Sequence, residues 1–308
     1  MSQGPAGHVT RSLHRPHTET ARGVERRRML RRFLRTVDGV TIEAAYAPSS
    51  HRSDDLVIVV AHGFTGDLDR PHVRRAAGVL AQYAAVITFS FRGHGASAGR
   101  STLGDREVLD LAAAVAWARE LGHTRVATVG FSMGGSVALR HAAEYGASAG
   151  EREAREGREA REGRADTRRE ARTDAHPDAH TDAVVSVSAP ARWYYRGTAP
   201  MRRLHWLVTR PVGRAVGRYG LRTRIHHREW DPVPLSPVES VPLIAPTPLL
   251  IVHGDRDGYF PVDHPRMLAA AAGGHAELWL EAGMGHAEHA AGDELLERIG
   301  QWAASAAG

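Results

Sequence analysis

Arg125-Val-Ala-Thr-Val-Gly-Phe-Ser132-Met-Gly-Gly-Ser-Val-Ala-Leu139 carries an apolar strand into a helix through one short join. Arg125–Val129 reads as the strand and Gly135–Tyr145 as the helix, so Ser132 stands between them. Gly130, Gly134 and Gly135 permit a tight turn and close packing of the helix on the strand. A strained strand-to-helix turn lifts a serine hydroxyl above the edge of a sheet, where a reacting group can reach it. The pattern Gly-x-Ser-x-Gly is not selective by itself. It recurs at 95–99 and 146–150, which is unsurprising in a chain with 32 glycines. Ser97 lies in a glycine-rich loop with no helix directly behind it, and Ser148 opens a charged stretch. Only Ser132 has a strand before it and a helix after it.

Outward from this join, strands and helices alternate. Phe33–Thr36 and Thr41–Tyr46, separated by Asp38-Gly39, predict a hairpin. Leu56–Ala61 is an all-apolar run ending at His62-Gly63, as a strand buried on both faces would. Val73, Ala76, Ala77 and Leu80 have helical spacing, and so do Val108, Leu111, Ala112, Val115 and Ala118. Ala85–Phe91, Ala183–Val187, Pro248–Val252 and Glu277–Leu280 predict further strands. Leu295, Leu296, Ile299 and Trp302 mark the inner face of a closing helix. This alternation predicts an α/β fold, a mostly parallel sheet with helices on both faces.

Two regions break the pattern. Residues 1–28 mix Arg, His, Thr and Gly without periodicity and predict a disordered basic tail, lacking the apolar run of a secretory signal. Residues 147–182 hold 8 Arg and 10 acids and repeat Arg-Glu-Ala-Arg-Glu-Gly at 152–157 and 158–163. They predict a flexible, low-complexity charged insertion. The core is therefore expected in 29–146 and 183–308. Within it, residues 190–245 predict a small helical cap inserted between two strands. Leu204, Leu207 and Val208, then Val212, Val216 and Tyr219, have helical spacing there. Trp193, Tyr194, Tyr195, Trp206 and Trp230 sit among ten Arg. The expectation is that these aromatic rings pack on the body while the Arg point to water. The alternative is that both hold an anionic or acyl-chain substrate.

The 308 residues include no Cys and no Lys; all 40 basic side chains are Arg. Disulfides, thiolate nucleophiles, cysteine-ligated metals, lysine Schiff bases and P-loop lysines are thereby excluded. The net charge of +5 is uneven: residues 1–37 carry +7, residues 190–230 carry +9, and the remainder carries −11. An acidic body with two basic segments argues against a general nucleic-acid binder. The longest apolar runs fall far below the ~18 residues of a membrane span. There is no Walker sequence, and His286 and His289 are three apart, not the four of His-Glu-x-x-His. No cofactor and no metal are expected.

A serine hydroxyl needs a neighbouring base to act as a nucleophile. Among 19 His, His286 follows the final strand in Glu281-Ala-Gly-Met-Gly-His286, where Gly283 and Gly285 let the loop turn its imidazole toward Ser132. His289 is its nearest rival. The base in turn needs an acid to fix its tautomer. Leu249-Leu-Ile-Val-His-Gly-Asp255-Arg-Asp257 offers two, and on spacing alone either Asp255 or Asp257 serves. An oxyanion needs two backbone N–H donors. Met133, directly after Ser132, offers one, and Phe64 in His62-Gly63-Phe64 offers the other.

His62-Gly-Phe64, Arg92-Gly-His-Gly95, Gly130-Phe-Ser-Met-Gly134, His253-Gly-Asp-Arg-Asp257 and Gly285-His286 appear in the order serine, aspartate, histidine. In this the chain resembles the α/β-hydrolase fold serine hydrolases, the broad group of esterases, monoacylglycerol lipases and serine aminopeptidases. The resemblance covers roughly residues 30–145 and 183–305. It adds to the preference for Asp257 over Asp255. One departure is Phe89-Ser90-Phe91-Arg92, where such proteins often carry an acid two residues before the Arg.

The resemblance implies the fold and a nucleophilic mechanism on Ser132, His286 and Asp257, but no particular substrate, since one fold hosts many reactions. The five motifs in one compatible order lead to the expectation of a serine hydrolase that cleaves carboxylic esters, or thioesters, through an acyl-enzyme. The expected partner is a small-molecule ester or acyl substrate, with no nucleic acid and no transmembrane segment, in a cytoplasmic protein. The alternative is a non-catalytic ligand-binding protein on the same fold.

Overall fold

The computed structural model describes Met1 and residues 29–49, 55–146 and 178–308. The tail expected at 1–28 and the insertion expected at 147–182 lie outside these residues, apart from Met1 and 178–182. Eight strands form one sheet: β1 (Leu30–Arg35), β2 (Thr41–Ala47), β3 (Leu56–Ala61), β4 (Ala85–Phe89), β5 (Arg125–Phe131), β6 (Ala183–Val187), β7 (Leu249–Gly254) and β8 (Ala276–Glu281). Their spatial order is β1-β2-β4-β3-β5-β6-β7-β8. From β4 to β8 all neighbours run parallel, while β1–β2 and β2–β4 are antiparallel.

The alternation of side chains along β3 shows how the sheet is covered. All six residues are buried, with Val57, Val59 and Ala61 in one apolar cluster and Leu56, Ile58 and Val60 in another. Successive side chains point to opposite faces, so a strand apolar at every position needs a helical layer on each side. One layer holds α2 (Glu107–Glu120) and α3 (Met133–Tyr145), which bury Val108, Leu111, Val137 and Leu139. The other holds α1 (Pro71–Leu80), contributing Ala76 and Leu80.

The predicted strand Ala85–Phe91 ends two residues early, at Phe89. Phe91 is buried, but its N–H donates to His62 Nε2 at 3.0 Å and not to a neighbouring strand. The predicted hairpin pairs Leu34 with Ile42 and Arg35 with Thr41. Gly39, at φ +80, closes its turn.

Between β6 and β7 the chain carries α4 (Ala199–Thr209), α5 (Pro211–Gly220) and α6 (Pro237–Ser240). Burial is sparse here: α4 buries Met201 and α5 buries Gly213 and Gly217. Trp193, Tyr195 and Trp230 are half-buried, whereas Tyr194, Trp206 and Tyr219 are exposed. The expected packing of this segment's aromatic rings thus holds for only part of the set. After β7 come α7 (Asp263–Ala271), the short α8 (Ala287–Ala290) and α9 (Asp293–Ala306). The closing helix α9 buries Leu295, Leu296 and Ile299 beside α1. Among the described residues, no helix is long and apolar enough to cross a membrane.

Candidate active site

Ser132 occupies the turn between β5 and α3 with φ +52 and ψ −113. A non-glycine residue held there is strained, and the surrounding backbone must over-determine it. Two contacts do so. Ser132 N–H donates to Val187 O at the end of β6, at 2.8 Å, and Ser136 N–H donates to Ser132 O to start the helix. Close approach explains the glycines. A Cβ on Gly130 would lie 2.2 Å from Gly134 O, and one on Gly134 would lie 2.2 Å from Ala61 O.

His286 reaches this turn from the loop after β8. Its Nε2 lies 2.9 Å from Ser132 Oγ, and its Nδ1 lies 2.7 Å from Asp257 Oδ2. Tyr259 stacks on the imidazole with ring centroids 4.3 Å apart, and Phe260 meets it edge-on. The loop itself is pinned where Ser188 Oγ accepts the Ala287 N–H at 3.0 Å.

Asp257 Oδ1 accepts the N–H groups of Tyr259 and Phe260 at 2.8 and 3.0 Å. Burial works against ionisation of this carboxyl. The hydrogen bond and charge of His286 and the two N–H donors outweigh it, and hold its pKa below the usual carboxylate value. Asp255 acts on the backbone instead. Its Oδ1 accepts the Gly283 N–H at 2.6 Å and so fixes the loop that carries His286.

The other sequence candidates fall elsewhere. Ser97 is buried, donating to Ser90 O and accepting the Glu43 N–H. Ser148 lies outside the described residues. His289 is exposed and stacks against His72 of α1.

A family model for the alpha/beta hydrolase fold matches residues 57–290. The chain belongs to this family. Solved structures agree on the fold. An esterase from Pyrococcus furiosus, Pf2001, superposes with a TM-score of 0.64 at 20% identity, covering 91% of this chain and 94% of that one. XC6422 from Xanthomonas campestris, described as an a/b serine hydrolase without lid, gives 0.52 at 17% identity, covering 90% and 93%. Est1E from Butyrivibrio proteoclasticus, solved with ferulic acid bound, gives 0.52 at 18% identity, covering 89% and 96%. No curated protein matched the chain.

In this α/β hydrolase the loop after β3 is held by neutral histidines. His62 Nδ1 donates to Gly63 O at 2.7 Å while its Nε2 accepts the Phe91 N–H. Burial keeps His62 uncharged, with its pKa lowered to about 3. His94 Nε2 accepts the Thr65 N–H at 3.3 Å, and burial lowers its pKa to about 4. Phe64, on this loop, lines the same cavity as Ser132 and Met133. Met133 is the first residue of α3, so its N–H is among those the helix leaves without an internal partner.

That cavity has a volume of about 290 Å³ and is roofed by the β6–β7 segment. Trp193, Tyr194, Met201, Leu204, Val208 and Trp230 line it, with Arg192, Arg196, Arg214 and Arg228 among them. Trp193 and Trp230 meet edge to face, and their indole N–H groups donate to Pro234 O and Thr102 O.

Two features are not foreseen by the sequence. Where related proteins often carry an acid, Ser90 Oγ accepts the Leu68 N–H, and Arg92 takes its carboxylates from Asp110 of α2 and Asp38 of the β1–β2 turn. Glu288, 2% exposed, accepts the Gly63 N–H at 3.0 Å from across the site.

Proposed function

We propose that this α/β hydrolase cleaves carboxylic esters, and thioesters of similar shape, with Ser132 as nucleophile, His286 as general base and Asp257 as its orienting acid. The observation that carries the reading is the unbroken hydrogen-bonded line Ser132 Oγ–His286 Nε2, His286 Nδ1–Asp257 Oδ2, at 2.9 and 2.7 Å. His286 takes the Ser132 proton as Oγ attacks the substrate carbonyl. The oxygen that becomes negative is met by the N–H groups of Phe64 and Met133. Collapse of this intermediate expels the alcohol or thiol, which leaves with the proton from His286, and an acyl-Ser132 ester remains. Water then gives a proton to His286 and attacks the acyl carbon, and the acid is released as His286 returns that proton to the departing Ser132 Oγ.

The β6–β7 segment serves as a cap over the nucleophile. Its aromatic and aliphatic lining favours an apolar group of moderate size on the substrate. The test is hydrolysis of aryl esters and acyl thioesters of graded chain length. Turnover is expected from the wild type, with a loss of several orders of magnitude in Ser132→Ala, since the three residues act as a unit. Binding of such esters without turnover, equal in both proteins, would overturn the reading.

A further inference from the structure

Two imidazoles and a carboxylate converge behind the loop that carries Phe64. His72 comes from α1, and Glu288 and His289 come from α8. One ligand atom from each lies within 4.8 Å of those of the other two. His72 Nε2 stands 3.8 Å from Glu288 Oε1 and is buried without a hydrogen-bond partner. The His72 and His289 rings lie 3.7 Å apart, tilted by 34°. Burial and the neighbouring His289 hold His72 toward its neutral form, which leaves a ring nitrogen lone pair to donate.

We propose that His72, Glu288 and His289 bind a divalent cation of the zinc class, and that its binding slows hydrolysis. Two imidazoles and one carboxylate, completed by water, are an ordinary donor set for zinc. Bonds of about 2.0 Å in a tetrahedron set ligand atoms roughly 3.3 Å apart, so ligand atoms that lie up to 4.8 Å apart must close by as much as about 1.5 Å. His289 is exposed and free to swing inward. The two supporting helices are already clamped: Arg75 of α1 donates to Glu288 O at 3.0 Å, to Ala291 O at 2.6 Å and to Asp293 at 2.5 Å. The nearby cations are compensated, since Arg75 is paired with Asp293, and Arg70 with Asp67 at 3.2 Å.

The effect on hydrolysis follows from the partners of Glu288 and rests on the proposed ester hydrolysis at Ser132. Glu288 Oε1 holds the Gly63 N–H, next to the Phe64 N–H assigned to the oxyanion. A cation on Glu288 competes for that oxygen and loosens the loop.

The experiment titrates zinc chloride into the metal-free full-length chain and into His72→Ala and His289→Ala, reading bound equivalents by equilibrium dialysis and turnover of an aryl ester. The other histidines also take zinc, so the difference between proteins is the signal. The proposal expects one fewer tight equivalent in each variant. It also expects a tenfold or greater, chelator-reversible loss of turnover in the wild type alone. The exposed position of His289 keeps the second variant folded even if the first is not. Equal zinc stoichiometry in all three proteins would overturn the site. Equal inhibition in all three would place the inhibitory zinc elsewhere and overturn the coupling. The dialysis arm reads the site whether or not the chain hydrolyses esters.

Discussion

Asp257 Oδ2 and His286 Nδ1 lie 2.7 Å apart, on the side of the imidazole away from Ser132. This contact sets which ring nitrogen carries the proton and so leaves Nε2 able to accept one. Asp257→Asn offers an amide in its place and favours the wrong tautomer. Turnover of an aryl ester is expected to fall by roughly four orders of magnitude, with the fold intact by circular dichroism. Asp255→Asn keeps an acceptor oxygen for the Gly283 N–H and is expected to leave turnover near that of the wild type. Reversal of these two outcomes would reassign the acid.

The strained turn at Ser132 depends on glycine packing. In Gly134→Ala the new methyl meets Ala61 O, part of the backbone of the central strand, at 2.2 Å. Neither partner is a flexible side chain, so α3 must move away from β3. Denaturant unfolding is expected to show a loss of about 3 kcal/mol or more, with little residual turnover.

Arg92 and Asp110 are buried at 2% and 0% exposure and share several hydrogen bonds. Removing only the cation strands a carboxylate in the interior. Arg92→Leu is expected to cost about 3–5 kcal/mol in denaturant unfolding, and Arg92→Leu with Asp110→Leu to cost less than Arg92→Leu alone. A double variant worse than the single one would show that the charges are not energetically paired.

Acid sensitivity follows from three fully buried imidazoles. Burial lowers His62 to about 3, His94 to about 4 and His141 to about 3. In the unfolded chain each titrates near ~6.5. Below that value the unfolded state binds protons that the folded state excludes, so stability falls as pH falls. At about pH 5.5 each group costs on the order of 1 kcal/mol relative to neutral pH. Chemical denaturation at a series of pH values checks this. A midpoint that stays flat between pH 7 and 5 would show that these histidines are protonated in the fold.

Much of the architecture is legible in the sequence because parallel strands covered on both faces are mostly apolar, with small polar side chains such as Thr128 and Ser186 buried among them. Leu56–Ala61 and Ala183–Val187 have in the structure the boundaries that their apolar runs predict. Ser132 is legible because a strained turn demands small neighbours within four residues, all of them local in sequence. The choice between Asp255 and Asp257 is not legible from spacing. Both leave the same strand, and only the third dimension shows which one faces the imidazole. Glu288 and the Arg92–Asp110 pair are hidden for another reason. A charged residue in a helix or a loop reads as solvated, and nothing local reveals a partner brought in from a distant segment. The partial exposure of Trp206 and Tyr219 is also unreadable, since helical spacing defines a face but not what covers it.

The central claim is that Ser132 is the nucleophile. Its most direct test is exposure of the protein to a fluorophosphonate, followed by intact-mass and peptide mass spectrometry. A single phosphonyl adduct on Ser132, lost in Ser132→Ala and greatly slowed in His286→Ala, is the predicted result. An adduct on another residue, or labelling that survives Ser132→Ala, would contradict the account.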